Sequence, residues 1–297
     1  MRIHFTGEKM KLTNKHNIPQ VFVNAIERDD YAKGEVNLSV TELINSPRIV
    51  QLKRLHWNEL EEDVSDKIFA LMGKGVHHVL EHGKEDGSIR EQRLYVELNG
   101  WKISGAIDLQ TMEDGKISIV DHKVTGAWAV MNTKSEWETQ LNCYAYLVEK
   151  VKKIPIGKLS ITAIIRDWNK RDAKTKADYP AAPIKVIDIP LWSFEDRENF
   201  IKDRISLHSN AHFSSEVGED YVFCTSSEMW ESPTTYAIKK VGNKRATAVY
   251  ATQEEAEENL KDGYEMETRS GERRRCADYC QVNQFCSQYQ QYLMEQL

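Results

Sequence analysis

Apolar residues follow two different periods along this chain. Residues 1–35 are polar with little periodicity and read as an extended or partly ordered lead-in. "NLSVTELINSPRIVQLKRLHW" opens the ordered region. Ser39 or Thr41 suits a helix cap, Leu43 and Ile44 fall inside the helix, and Pro47 restarts it as a first-turn proline. In "SDKIFALMGKGVHHVLEHG", Ile68, Leu71, Val76, Val79 and Leu80 line one side, which predicts a buried helix ended by Gly83. The period then shortens. "EQRLYVELNG", "WKISGAIDLQTMED" and "GKISIVDHKVT" read as strands, and the Asp-Gly turn of "EDGK" joins the last two as a hairpin. "SEWETQLNCYAYLVEKV" returns to helical spacing at Trp137, Leu141, Tyr144 and Leu147. "KLSITAIIRDW" and "IKVIDIPL" are strands. "SFEDRENFIKDRISLHSNA" is a long amphipathic helix capped by Ser193, with Glu195 and Asp196 near the positive end of its dipole. Helix, antiparallel strands, helix, strand, strand, helix is the order of a mixed sheet flanked by helices, an α/β fold. Past residue 215 the chain reads as a small hairpin-and-helix insertion followed by a Cys-rich tail. The expected divisions are a lead-in over 1–35, a core over 36–215, and the insertion and tail over 216–297.

Composition narrows the class. The chain has 297 residues, 40% hydrophobic and 29% charged, enough for a substantial core under a well-solvated surface. No apolar run approaches a membrane span, and the start "MRIHFTGEKMKLTNKHN" lacks the apolar stretch of a secretory signal. The expectation is a cytoplasmic protein without a membrane partner. A net charge of −6 argues against tight non-specific nucleic-acid binding by the whole surface and leaves local patches open. "KKVGNKR" and "RSGERRR" are such patches; each reads as a solvated face or as a guide for a phosphate backbone.

Candidate chemistry centres on the strand "SIVDHKVTG". Asp121 and Lys123 are two residues apart, so on a strand they share a face. The preceding strand carries Asp108 in "SGAIDLQ", and the hairpin brings the two carboxylates within reach of one ion. Two carboxylates plus water suit magnesium or manganese. A lysine beside the ion can orient a water and stabilise charge building on a phosphate. Asp-x-Lys alone is weak evidence, since charged pairs are common at strand ends. His77 and His78 are adjacent and point about 100° apart on a helix, so only one can face the acids. Gln140 and Tyr144 share a helix face at i and i+4, where Tyr144 also suits the core. Trp128, Trp137 and Trp168 are read as packing residues before base-stacking ones. The side chain of His122 is expected to face away from the acids, with its carbonyl free to complete a metal shell.

Taken together, "GKGVHHVLE", "GAID", "VDHK" and "QLNCY" resemble the PD-(D/E)-x-K nuclease superfamily and, within it, the RecB-like branch. The resemblance covers residues 36–205 and implies a restriction-endonuclease-like fold and a Mg/Mn-dependent deoxyribonuclease, an exonuclease hydrolysing phosphodiester bonds. It implies that His77 joins Asp108, Asp121 and the His122 carbonyl as metal ligands. Lys123 would be catalytic, with Gln140 and Tyr144 organising the site and the DNA. The implied partner is DNA, single-stranded or at duplex ends, in recombination, repair or phage genome processing. A recombination or replication protein is a candidate further partner, and a bacterial or phage-infected cell the setting. "CTSSEMW", "YAIKK" and "RRRCADYCQVNQFC" resemble phage- and prophage-encoded members. The rival reading is a nucleic-acid-binding or assembly protein that keeps the fold without activity; the intact acid–acid–lysine set argues against it.

Of five cysteines, Cys276, Cys280 and Cys286 fall within eleven residues. In a reducing compartment such clustering favours a metal over disulfides. With Cys224 they make four thiolates, suited to zinc or to a [4Fe–4S] cluster. The uneven spacing and the resemblance favour the iron–sulfur cluster, as a staple of the C-terminal region. Many iron–sulfur members carry a cysteine before a Pro-Arg pair, where this chain has Ser46; Cys224 is then the natural fourth ligand. Cys143 is expected to be an ordinary buried thiol.

Overall fold

A computed structural model describes residues 10–28, 34–83 and 86–296. Part of the expected lead-in, residues 1–9 and 29–33, lies outside the described residues. The rest of it is more ordered than its polarity suggested. Strand β1 (Lys11–Thr13) pairs in parallel with a later strand, and helix α1 (Gln20–Glu27) follows. Strand β2 (Leu38–Ser39) leads into α2 (Val40–Ile44), where Ser39 and Glu42 close a reciprocal capping box. Helix α3 (Pro47–Leu55) starts on its proline, with Ser46 as the cap. Strand β3 (Glu61–Asp63), the partner of β1, precedes α4 (Ile68–Glu81).

Helix α4 corrects one expectation. It forms where the period places it, but none of its residues is fully buried, and Phe69, Met72, Val79 and Leu80 are exposed. Its apolar spacing supplies a helix; the sheet it meets covers only part of that surface.

Strands β4 (Ile89–Leu98), β5 (Trp101–Glu113) and β6 (Lys116–Thr125) form an antiparallel meander. Both turns use the two left-handed residues that a tight hairpin needs: Asn99-Gly100 and Asp114-Gly115, all with positive φ. After α5 (Ala127–Met131) and α6 (Ser135–Lys152), strand β7 (Ile156–Ile165) returns parallel to β6. Helix α7 (Lys170–Thr175) and strand β8 (Ile184–Ile189), antiparallel to β7, complete a six-stranded mixed sheet. Helix α8 (Phe194–Val217), capped by Ser193, packs with α2, α3 and α6. Leu38, Ile103, Ile107, Ile119, Leu141, Leu147, Ile161 and Ile201 are almost wholly removed from water between these layers. Each such side chain contributes ~1.5–3 kcal/mol of burial. This is the α/β architecture expected from the sequence.

The C-terminal part carries α9 (Ser226–Met229) and then strands β9 (Thr235–Lys240) and β10 (Ala248–Tyr250). Helix α10 (Gln253–Glu258), strand β11 (Tyr264–Arg269) and helix α11 (Ser287–Glu295) complete it. Strand β9 is the centre of a separate three-stranded antiparallel sheet. The tail before α11 docks on α3 and the segment after it through Leu52, Leu60, Val282 and Cys286, a second apolar cluster that the sequence did not disclose. Among the described residues no helix is long and apolar enough to cross a membrane.

Candidate active site

The long strand β5 shares one of its edges between two partners. Leu38 and Ser39 pair with Ile103 and Ser104, and β6 pairs from Leu109 onward. Asp108 lies in the interval, one step beyond the last β5–β6 pair. Continuing that register sets it opposite Asp121. Both acids are buried. Where the strands part, side chains take over the backbone of His122. Its N–H donates to Asp108 Oδ2 at 2.7 Å, and its carbonyl lies 3.2 Å from His77 Nε2.

Helix α4 brings His77 over this opening. Its Nδ1 stands 3.1 Å from Glu91 Oε1 and 3.6 Å from Asp108 Oδ1. Both ring nitrogens thus face acceptors, the arrangement of a protonated imidazole. The hydrogen bond to Glu91 raises the His77 pKa to about 8. Burial, then repulsion from Asp121, raises Asp108 to about 7. The His77 cation therefore offsets crowded carboxylates, the work that a bound metal ion would also do.

Lys123 Nζ is 2.8 Å from Asp121 Oδ2. Apart from that ion pair, this buried oxygen accepts no hydrogen bond. The structure therefore brings together His77, Asp108, Asp121, Lys123 and the His122 carbonyl. The His122 ring, expected to face away, instead stands 6.3 Å from the His77 ring, at a pocket shared with Asp108 and Glu91. Its pKa is lowered by burial and by the neighbouring His77 charge.

Sequence reasoning missed Glu91. It falls opposite Asp108 in the β4–β5 register, where pairing is interrupted, and its φ is +47°. A side chain held in the left-handed region is strained, and such strain gathers at functional sites. Ligand atoms of His77, Glu91 and Asp108 all lie within 4.8 Å of one another. In the sequence Glu91 is one charged residue in a polar strand start, with nothing to set it apart.

Gln140 and Tyr144 form a pair of their own, Nε2 donating to the phenol oxygen at 2.8 Å. Tyr144 is buried and its ring lies over Gly105: a Cβ there would meet it at 2.8 Å. The pair thus braces β5 three residues before Asp108. Of the tryptophans, Trp137 is buried, Trp168 is half-buried with its indole N–H on the Pro180 carbonyl, and Trp128 is exposed. The basic stretches are engaged in part within the chain. Lys239 pairs with Glu265 and Glu267, Arg273 with Glu231, and Arg275 bonds Asn45 and the Glu228 carbonyl.

All five cysteines are unbridged. Cys224, Cys276, Cys280 and Cys286 line one pocket, and Cys143 is buried elsewhere in the main core. Ser46 Oγ lies 3.1 Å from Cys224 Sγ, so the serine at the expected first-cysteine position adjoins the proposed substitute. The fully buried Arg48 donates from Nε to Cys286 Sγ at 3.2 Å and pairs with Asp220 at 2.9 Å. Burial pushes Cys224 and Cys276 up to about 11, and Cys143 up to about 12.

The family model of the PD-(D/E)XK nuclease superfamily matches residues 25–287. The chain belongs to this superfamily. Members of the PD-(D/E)XK superfamily generally use divalent metal ions. None of the curated proteins compared with this nuclease matches it. Among solved structures, the crystal structure of SSO0001 is similar at 19% identity and a TM-score of 0.44, over 63% of the nuclease and 85% of that chain. A structure described as "Putative exonuclease" from Eubacterium rectale is similar at 14% identity and a TM-score of 0.26, over 53% and 54%.

Proposed function

We propose that the chain is a Mg2+- or Mn2+-dependent deoxyribonuclease of the RecB-like branch, acting as an exonuclease on DNA ends or single strands. The observation that carries this reading is the opposed pair Asp108 and Asp121 with Lys123 ion-paired to the second acid, capped by His77 and Glu91. The residues fit a hard divalent ion. Carboxylate oxygens converge, the buried Asp121 Oδ2 has only the Lys123 ammonium beside it, and carboxylates with a carbonyl and water suit magnesium or manganese. Asp108, Asp121, Glu91 and the His122 carbonyl would hold it, joined by His77 once the ion has displaced its proton. A bound ion would polarise the phosphodiester and lower the pKa of a water. Asp121 holds the Lys123 ammonium beside the attack position, where it orients the water and offsets charge building on the phosphate. Glu91 orients His77. Gln140 and Tyr144 keep β5, and with it Asp108, in place.

The tail is read as holding one [4Fe–4S] cluster on Cys224, Cys276, Cys280 and Cys286. What supports the reading is that these four cysteines, far apart in the sequence, line one pocket, with zinc as the alternative ion. The proposed divisions are the lead-in over 1–35, the nuclease core over 36–215 and the cluster-bearing tail over 216–297. Recombination, repair or phage genome processing in a bacterial or infected cell is the proposed setting.

The test is digestion of end-labelled single-stranded and duplex DNA, beside covalently closed circles, with Mg2+, Mn2+ or chelator. Release of end nucleotides only with a divalent ion is expected. Cleavage of closed circles would replace exonuclease with endonuclease. No cleavage of any DNA by well-folded protein would favour the inactive binding protein.

A further inference from the structure

The second histidine of the "HH" pair makes none of the contacts that His77 makes with Glu91, Asp108 and the His122 carbonyl. On α4 it heads a second group, His78, Glu81 and His82, at i, i+3 and i+4 on the outer face. Their ligand atoms lie within 4.8 Å of one another, and all three residues are exposed. Closing them onto a metal needs only side-chain rotation, which exposed side chains allow.

We propose that His78, Glu81 and His82 form a zinc site at the C-terminal end of α4, on the rim of the nuclease cleft and distinct from the hydrolytic ion. Three observations carry this assignment. His82 Nδ1 donates to the His78 carbonyl at 2.7 Å. That bond fixes the tautomer, leaving Nε2 with the lone pair that binds metal, as the outer partner of a ligating histidine does. The negative end of the helix dipole also lies at this last turn and favours a cation. The donor set then selects the ion. Two imidazoles and one carboxylate suit zinc, with water in the fourth position, and suit magnesium poorly. The cleft group is richer in carboxylate and takes the harder ion. His78 and Glu81 also line the same open pocket as His77, Glu91 and Asp108, so the zinc would sit at the rim of that pocket. The assignment does not depend on which nucleic acid the cleft cuts.

The test is zinc titration of the full chain against a chromophoric chelator, in wild type and in His78→Ala, His82→Ala, Glu81→Gln and His77→Ala. Imidazole NMR signals are followed in parallel, so that zinc on the cysteines is told apart. Zinc is expected to shift the His78 and His82 rings. Either histidine variant should lose at least ~10-fold in affinity for that zinc, since the loss of a ligand's outer partner alone costs ~10–100-fold. Glu81→Gln should weaken it less, and His77→Ala should retain it. Millimolar Mg2+ should not displace it. Unchanged zinc binding in both His78→Ala and His82→Ala overturns the assignment. So does a zinc that is lost only in His77→Ala, which would place it in the cleft.

Discussion

Asp121 and Lys123 show how much one contact decides. An Asp–Lys pair on an open surface is worth ~0–1 kcal/mol. Here the carboxylate is buried, its Oδ2 has the Lys123 ammonium as partner and accepts no further hydrogen bond, and a second buried acid stands beside it. Such a group is costly for stability and suited to holding a cation. Asp108→Ala, Asp121→Ala and Lys123→Ala should each fold and lose at least ~100-fold in cleavage rate, the scale of one transition-state contact. A Lys123→Ala protein with normal rate and a native circular dichroism spectrum would remove lysine from the mechanism. His77 and Glu91 act as a pair, so His77→Ala should raise the manganese needed for half-maximal rate far more than His78→Ala. Glu91→Gln should raise it ~10–100-fold through misorientation of His77. If His78→Ala were the more damaged variant across a manganese titration, the assignment of the cleft-facing histidine would be reversed.

At the scale of elements, the site depends on α6 seating against β5. Gly105 is the point of closest approach, because a Cβ would meet Tyr144 ring carbons at 2.8 and 2.9 Å and Leu147 at 3.2 Å. Gly105→Ala should therefore destabilise by ~1–3 kcal/mol in urea unfolding, as overpacking does. Unchanged stability would mean that α6 moves freely and does not brace the strand. Helix α8 is tied to α2 by the buried His208, whose Nε2 lies 3.1 Å from the Leu43 carbonyl. Burial lowers its pKa from 6.5 to about 4, with the charges of Arg204 and Arg54 adding to the effect and Glu42 opposing it. The unfolded chain therefore takes up the proton first as pH falls. The stability linked to neutral His208 is fully present above pH 6.5 and is lost progressively toward pH 4. Its slope approaches ~1.4 kcal/mol per pH unit. In His208→Gln, unfolding free energy should fall less steeply between pH 6.5 and 4 than in wild type. Parallel curves for the two proteins would show that His208 already titrates normally in the fold.

Across the whole molecule, distant segments meet. Met10, α3 and the tail share one apolar cluster, and the buried Arg48 ties α3 to both Asp220 and Cys286. A cluster on the four cysteines would lock this assembly. Protein purified without oxygen should be brown, with iron and acid-labile sulfide. Cys224→Ala, Cys276→Ala, Cys280→Ala and Cys286→Ala should each lose the colour and expose the tail to protease, while Cys143→Ala keeps it. A colourless anaerobic protein with one tightly held zinc would decide for zinc. Colour that survives Cys224→Ala would point to another fourth ligand.

The amino-acid sequence alone determined the period of each main element, the Asp114-Gly115 hairpin and the cap at Ser193, and narrowed the cap of α2 to Ser39 or Thr41. It also determined the strand pairing that sets Asp108 against Asp121, because alternation and turn chemistry are local properties. It marked His77 only through its company in a motif. Tertiary structure alone decided that α4 stays largely uncovered, that β2 and β6 share one edge of β5 and leave a gap at Asp108, and that Glu91 enters the gap with a left-handed backbone. It also decided that Ser46 meets Cys224 across 178 residues of chain. Each of these depends on which surfaces distant segments cover, and a local pattern carries no record of that.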